Sequence, residues 1–336
     1  MDRAGRMAAG FGLVLGLLLN FSVLGQTGPK QINLLIGSGE GGGFDGSARI
    51  LAQFLPRYLP GTPAIVPQNM PGASGLRVAE VIYNVSPRDG SVIGVTQPNF
   101  VLNKALDPNA KYKPQEFNWI GRLGSFTTYA VVSTKASVQT VEGARKNSLI
   151  LGASGPSGPG AVLPSALNYL LGTKFNIVKG YRSAQETGLA FDRGEIPGIG
   201  SASLEFIESK HWLDKGEAKI LFTIGQQRNP KYAYAPSALE LMESERDRNV
   251  MKLITASTVI GRAVIAPPNM PPERVAQLRE AFEKVIRDPD FLAESAKRGY
   301  DVEPLTGAEL QQVVSEALSM PADVIERTRA ATQGGF

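Results

Sequence analysis

No cysteine occurs in the 336 residues. Disulfides, thiol nucleophiles, thiolate zinc sites and iron–sulfur centres are therefore excluded. A single histidine, His211, leaves no His-rich metal site, and it is the only imidazole base that a serine nucleophile could use. No G-x-S-x-G elbow is present either. His211 stands in the polar stretch Glu208-Ser209-Lys210-His211-Trp212 and reads as a surface residue. An excess of one charge is also missing: 35 basic against 31 acidic side chains give a net charge of +4. With no long basic run, a nucleic-acid footprint is not expected. Beyond the N-terminus no apolar run is long enough to span a membrane. What remains, 43% hydrophobic and 20% charged residues, is an ordinary globular composition with room for two domains or one large one.

The first 25 residues have a different character. Arg3 and Arg6 precede an apolar stretch over 7–24 that Asn20 interrupts. That is the pattern of a secretory signal peptide, shorter than the roughly 20 residues a spanning helix needs. Val23 and Gly25 suit the positions before a cleavage site, so cleavage after Gly25 and export are expected.

The mature chain is organised around 31–55. Ile32 and the run 34–36 make a short buried strand, and six glycines follow between Gly37 and Gly46. Ala48, Ile50, Leu51, Phe54 and Leu55 then recur at helical spacing. A strand that breaks into glycines and restarts as a helix leaves free amides at the helix mouth, a potential anion site. Strands over 64–66 and 91–96, with a helix over 76–84 between them, extend this unit into a parallel sheet with right-handed crossovers.

The same grammar returns downstream. A strand over 148–151 feeds the small-residue loop 152–160 and a helix over 161–171. Further strands are expected over 118–123, 128–133, 176–179, 198–201, 219–224 and 259–266. Helices are expected over 184–193, 271–287, 289–298 and 307–331. No linker divides the chain, so the split reads as discontinuous: 30–126 with 258–336 in one lobe, 127–257 in the other. Two α/β lobes would then face each other across a cleft, with ligand outside the carboxyl ends of the strands.

Gly41-Gly42-Gly43-Phe44-Asp45 followed by Ala48-Arg49 resembles the Gly-Gly-x-x-Asp-x-x-Ala-Arg loop of the substrate-binding proteins of tripartite tricarboxylate transporters, the Bug family. Asn69 with Pro71-Gly72-Ala73-Ser74-Gly75, Pro87-Arg88-Asp89-Gly90, Ser154-Gly155-Pro156-Ser157-Gly158 and Tyr181-Arg182 fall in that family's order, as does the tail from Ala266-Pro267-Pro268. The resemblance implies a periplasmic two-lobed Venus-flytrap receptor of α/β class, each lobe a mostly parallel sheet flanked by helices. It also implies capture of a small organic acid for a membrane permease of two subunits, with backbone amides and ordered water leading the contacts. Glu40 departs from the pattern where the family usually has proline. Ser183, Met70 and the Pro159-Gly160 pair depart as well, and all lie in loops that would touch ligand.

The first loop also spells G-x-G-x-x-G over 37–42, the context of a nicotinamide or flavin fingerprint. The strand that should end in a ribose-binding acid ends instead at Gln68-Asn69. A Walker A loop needs Gly-Lys-Ser/Thr, which Gly43-Phe44-Asp45 is not. Asp45 reads either as a capping acid at the helix start or as a ligand contact. Arg182 reads as a partner for a ligand carboxylate or as an exposed or lobe-bridging arginine. Tyr181 reads as packing or pocket lining, and Trp119 and Trp212 as packing.

The expected ligand contacts are Glu40, Gly42, Gly43, Phe44, Asp45 and Gln97 from one lobe. From the other come Ser154, Gly155, Ser157, Gly158, Gly160, Tyr181, Arg182 and Ser201. Glu40 and Asp45 would limit the negative charge the site accepts. No catalytic residue, metal or cofactor is expected, and the receptor is expected to be a monomer. The competing readings are an NAD- or FAD-dependent enzyme built on the glycine loop, and a carboxylate sensor working with a sensor kinase rather than a permease.

Overall fold

The computed structural model describes residues 28–72, 75–107, 109–153, 158–181 and 183–332. The expected signal peptide, Ser154, Gly155, Ser157 and Arg182 lie outside them. In chain order the first elements are β1 (Gln31–Ile36), α1 (Gly43–Phe54), β2 (Ala64–Asn69), α2 (Leu76–Asn84), β3 (Val92–Val95), α3 (Asn99–Leu106) and β4 (Asn118–Arg122). The chain then builds β5 (Thr128–Ser133), α4 (Val141–Lys146), β6 (Leu149–Ala153), α5 (Pro159–Leu171) and β7 (Phe175–Lys179). It continues through α6 (Ala184–Asp192), β8 (Gly198–Ser203), α7 (Leu204–Ser209) and β9 (Ala218–Ile224). Last come α8 (Glu245–Ile260), β10 (Ala263–Ala266), α9 (Pro272–Val285), α10 (Pro289–Lys297), β11 (Leu305–Thr306), α11 (Gly307–Leu318) and α12 (Ala322–Thr332).

These strands form two sheets, ordered β11-β4-β10-β3-β1-β2 and β7-β6-β8-β5-β9. The expected parallel unit is at one edge of the first sheet, with Gln31 opposite Ala64 and Asn33 opposite Val92. β10 runs antiparallel between β3 and β4, so the returning chain enters the first sheet reversed. In the second sheet β6, β7 and β8 are parallel and β5 is reversed between β8 and β9. Both sheets are therefore mixed, with helices on their faces. The faces follow strand period: Ile32, Leu34 and Ile36 of β1 enter one core, and Leu35 enters the core on the opposite side.

Two passages join the two sheets. Residues 123–127 carry β4 into β5, and the return runs along α8 to Arg262. Leu123 N–H donates to the Arg262 carbonyl and Arg262 N–H to that of Gly124, while Phe126 N–H donates to the Thr258 carbonyl. The two crossings are thus hydrogen-bonded to each other. α8 lies between the lobes: Val250, Met251 and Ile254 enter the second lobe's core, Leu253, Ala256 and Ile260 the first lobe's.

Two expected elements differ. The strand over 259–266 is shortened to β10, because α8 runs to Ile260 and ends at Gly261, whose φ of 56° suits glycine. The helix over 307–331 is broken into α11 and α12 by Pro321, which cannot continue a helix from the preceding turn. α12 then packs on α5 and α8, and its Val324 and Ala331 join the second lobe's core. Among the described residues no helix is long and apolar enough to cross a membrane.

Candidate functional site

The β1–α1 turn is held by one buried carboxylate. Asp45 is 3% exposed, and its Oδ2 accepts the Gly41 N–H at 2.9 Å. Its Oδ1 accepts from Arg49 Nε at 2.9 Å and from Asn69 Nδ2 at 2.8 Å. Arg49 Nη2 also donates to Asn69 Oδ1, and Asn69 Nδ2 to the Ser38 carbonyl. Burial pushes the Asp45 pKa up, but the bonds from Arg49, Asn69 and Gly41 outweigh it and hold the carboxyl below its ordinary value. Asp45 is thus ionised and neutralised within the protein. Glu40 is exposed. The expectation that these two acids restrict the ligand's charge loses its basis at Asp45.

Gly42 caps α1, and the amides of Gly42, Gly43 and Phe44 have no acceptor four residues back. The glycines continue into the helix for steric reasons. A Cβ on Gly46 would stand 1.9 Å from the Tyr300 hydroxyl, and one on Gly43 would stand 3.1 Å from Arg262 Nη2. Phe44 is buried, its ring 5.0 Å from that of Phe126 and inclined to it at 65°, an edge-on contact. At the end of β3, Thr96 Oγ1 donates to the Gly75 carbonyl, which fastens the second glycine turn beside Gln97.

In the other lobe Gly158 caps α5 with Pro159 in the first helical position, so the first-turn amide left there is that of Gly160. Gly160 is buried against Ser201, whose hydroxyl donates to Thr128 Oγ1 at 2.8 Å. The Tyr181 ring lies over Gly152, near the end of β6. Asn99 and Leu102 of α3 line a narrow crevice together with Pro159, Val162 and Leu163 of α5. The start of α3, two residues after Gln97, and the start of α5, which carries Gly160, therefore lie against each other across the lobes.

Beside them opens a cleft of about 670 Å³ that both lobes line. Its first-lobe wall includes Arg122, Phe126, Thr127 and Arg262, and its second-lobe wall Tyr129, Ser203, Glu205 and Asn229. Burial raises the Tyr129 pKa, opposed by the hydrogen bond from Asn229 to its oxygen, so this wall presents a neutral phenol. None of these residues was anticipated from sequence. Arg262 alone carried a signal, a lone charge inside the apolar run 259–266. None of the described expected contacts lines this cleft: Gly43 and Phe44 pack against its Arg262 and Phe126 from behind, Ser201 bonds Thr128 next to it, and Tyr181 lies over Gly152.

Trp119 and Trp212 are packing residues and His211 is a surface residue, as expected. Trp119 is stacked on Phe100 with Nε1 donating to the Pro114 carbonyl. Trp212 lies against Phe191 and donates to Asp192. His211 is exposed beside Asp214. At the end of β2, where a dinucleotide site requires an acid, Asn69 is bonded to Asp45 and Arg49. Among the described residues no three His, Asp or Glu side chains converge as a metal would require.

No protein-family profile and no curated protein matches the sequence. Solved structures do match. A TctC solute-binding protein from Polaromonas superposes with a TM-score of 0.67 at 20% identity, over 89% of this chain and 98% of that one. Rpa4515 of R. palustris, solved with adipate, gives 0.63 at 19% identity over 90% and 97%. The periplasmic binding protein BugD gives 0.61 at 17% identity over 90% and 97%. The chain has the TctC solute-binding fold. The likeness is one of fold, over nearly the whole of each chain.

Proposed function

We propose that this protein is an exported receptor that captures a small organic carboxylate between its lobes and delivers it to a membrane permease of the tripartite tricarboxylate type. The observation that carries the reading is the polar cleft walled by both lobes of a TctC-type fold, with Arg262 and Phe126 of its wall packed against Gly43 and Phe44 in the first turn of α1. In this reading residues 1–25 are removed after Gly25, and the mature chain works in the periplasm as a monomer. The acid contacts the first-turn amides of α1 and α5, supported by Gln97, Tyr181, Arg182, Ser201 and the 154–157 loop. Closure about 123–127 and α8 excludes water, and ligand favours the closed state by binding it better. The permease reads that closed state. Because Asp45 is already neutralised by Arg49, it does not itself argue against a dicarboxylate.

The test is a thermal-shift and calorimetric screen of the purified mature protein. Adipate, malate, succinate, benzoate and amino acids form the panel, with NAD and FAD as controls. At a hundredfold excess over Kd, a true ligand raises Tm by about 5 °C. No shift with any acid, together with a shift from NAD or FAD, defeats the receptor reading and favours the cofactor enzyme.

A further inference from the structure

Three arginines border the cleft, and two of them are committed elsewhere. Arg122 donates to the backbone carbonyls of Glu303 and Val259. Arg228 holds Glu240 and the Ala233 carbonyl. Arg262 is different. It is 6% exposed, and its Nε has no acceptor among the described residues. Its ion pair is a single contact from Nη2 to Glu205 Oε1 at 3.4 Å, long against the roughly 2.7–2.9 Å of a well-formed charged hydrogen bond.

The surroundings of Arg262 add to the imbalance. Its guanidinium lies 5.7 Å from the centre of the Tyr300 ring and presses against Gly43, in the first turn of α1. That turn is the positive end of a helix dipole. A buried cation packed beside it, with one donor unpaired, is costly unless an anion completes the arrangement. Glu205, the acid that reaches it, comes from the other lobe and has a side chain 42% exposed. Glycine at position 43 leaves the room that the guanidinium fills.

We propose that Arg262 anchors a carboxylate of the ligand, and that Glu205 is an internal stand-in which the ligand displaces. This rests on the receptor reading above and adds a specificity residue to it. Among its described residues the cleft then offers one uncommitted cation, so one carboxylate dominates affinity. The rest of the ligand meets the neutral hydrogen-bonding groups Thr127, Ser203, Gln226 and Asn229, and the acids Asp301 and Glu303 on the same wall disfavour a second carboxylate. Glu205 also ties apo affinity to lobe position, because its bond to Arg262 spans the two lobes.

The test is calorimetry on the wild type, Arg262→Gln, Arg262→Lys and Glu205→Gln. The probes are adipate, succinate and benzoate, each paired with its amide: adipamide, succinamide and benzamide. Expected is a wild type that binds at least one acid and rejects its amide. Arg262→Gln should weaken that acid by about thirtyfold or more and lose the discrimination, with Arg262→Lys recovering part of it. Glu205→Gln should tighten binding by about threefold, since it removes the competitor. A wild type that binds none of the acids overturns the receptor reading and the anchor together. A wild type that binds an acid while Arg262→Gln binds it equally well overturns the anchor alone. Should Arg262→Gln not fold, the exposed Glu205→Gln variant decides. Affinity unchanged or weakened there makes the pair a strut between lobes and overturns the proposal.

Discussion

Asp45 illustrates how one residue can be misread when its partners are distant in sequence. The Gly-Gly-x-x-Asp spacing placed it at a helix mouth, and from there capping and ligand contact looked like the alternatives. The structure gives it a third occupation: it ties the Gly41 amide, Arg49 and the end of β2 into one closed network. Arg49 and Asn69 were both visible as motif residues, but no local pattern says that a side chain 24 positions away points at the same oxygen. The network makes a pH prediction. The folded-state pKa of Asp45 is depressed, so its stabilisation is complete above an ordinary aspartate pKa of about 3.9 and is lost as pH falls through the folded value. Asp45→Asn should therefore cost about 1–3 kcal/mol at neutral pH. Its deficit relative to wild type should close as pH drops below about 4. Urea titrations of both proteins at pH 7, 5 and 3 check this. A deficit of equal size at pH 3 and pH 7 would show that the loss is not one of charge.

Glycine at the scale of the element has two meanings, and sequence alone does not separate them. The loops at 37–42 and 152–160 suggested open backbone for a ligand. Gly37 against Thr96, Gly152 against Ile196 and Gly160 against Ser201 are instead points where two elements touch, and the strand on the other side of Gly160 has its own glycine. At Gly200 of β8, an added Cβ would lie 2.1 Å from the Gly160 carbonyl oxygen, so the first turn of α5 rests directly on the strand. In an unobstructed strand, glycine to alanine stabilises by trimming the freedom of the unfolded chain. Here overpacking against backbone dominates, and Gly200→Ala should cost about 1–3 kcal/mol with an unchanged urea m-value. A stabilised variant would mean that α5 is not seated on β8. The parallel β1-β2-β3 unit was legible because strand, glycine turn and helix alternate with clear periodicity. α8 was not, because Thr255, Thr258, Val259 and Ile260 are β-branched and favour strands. Helix wins since both threonine hydroxyls donate to carbonyls of their own helix and the apolar residues serve two cores at once.

α8 has a consequence for the whole molecule. Flytrap proteins invite the picture of two lobes joined by thin strands, each able to unfold alone. In this chain the returning helix contributes Met251 to one core and Leu253 to the other, and α12 adds Val324 to the second lobe after the chain has completed the first sheet. Neither core can be emptied without disturbing the helix on which the other packs. The lobes should therefore unfold in a single transition. The two tryptophans allow the test, since Trp119 belongs to a first-lobe core and Trp212 to a second-lobe core. Trp212→Phe leaves a reporter in the first lobe, and Trp119→Phe leaves one in the second. In each background, Leu253→Ala should cost about 2–5 kcal/mol. That loss should lower the urea midpoint seen by either tryptophan by the same amount, although Leu253 touches only the first lobe's core. Midpoints that separate, with Trp119 shifted and Trp212 unmoved, would show that the lobes are thermodynamically independent and that α8 is a linker rather than a shared wall.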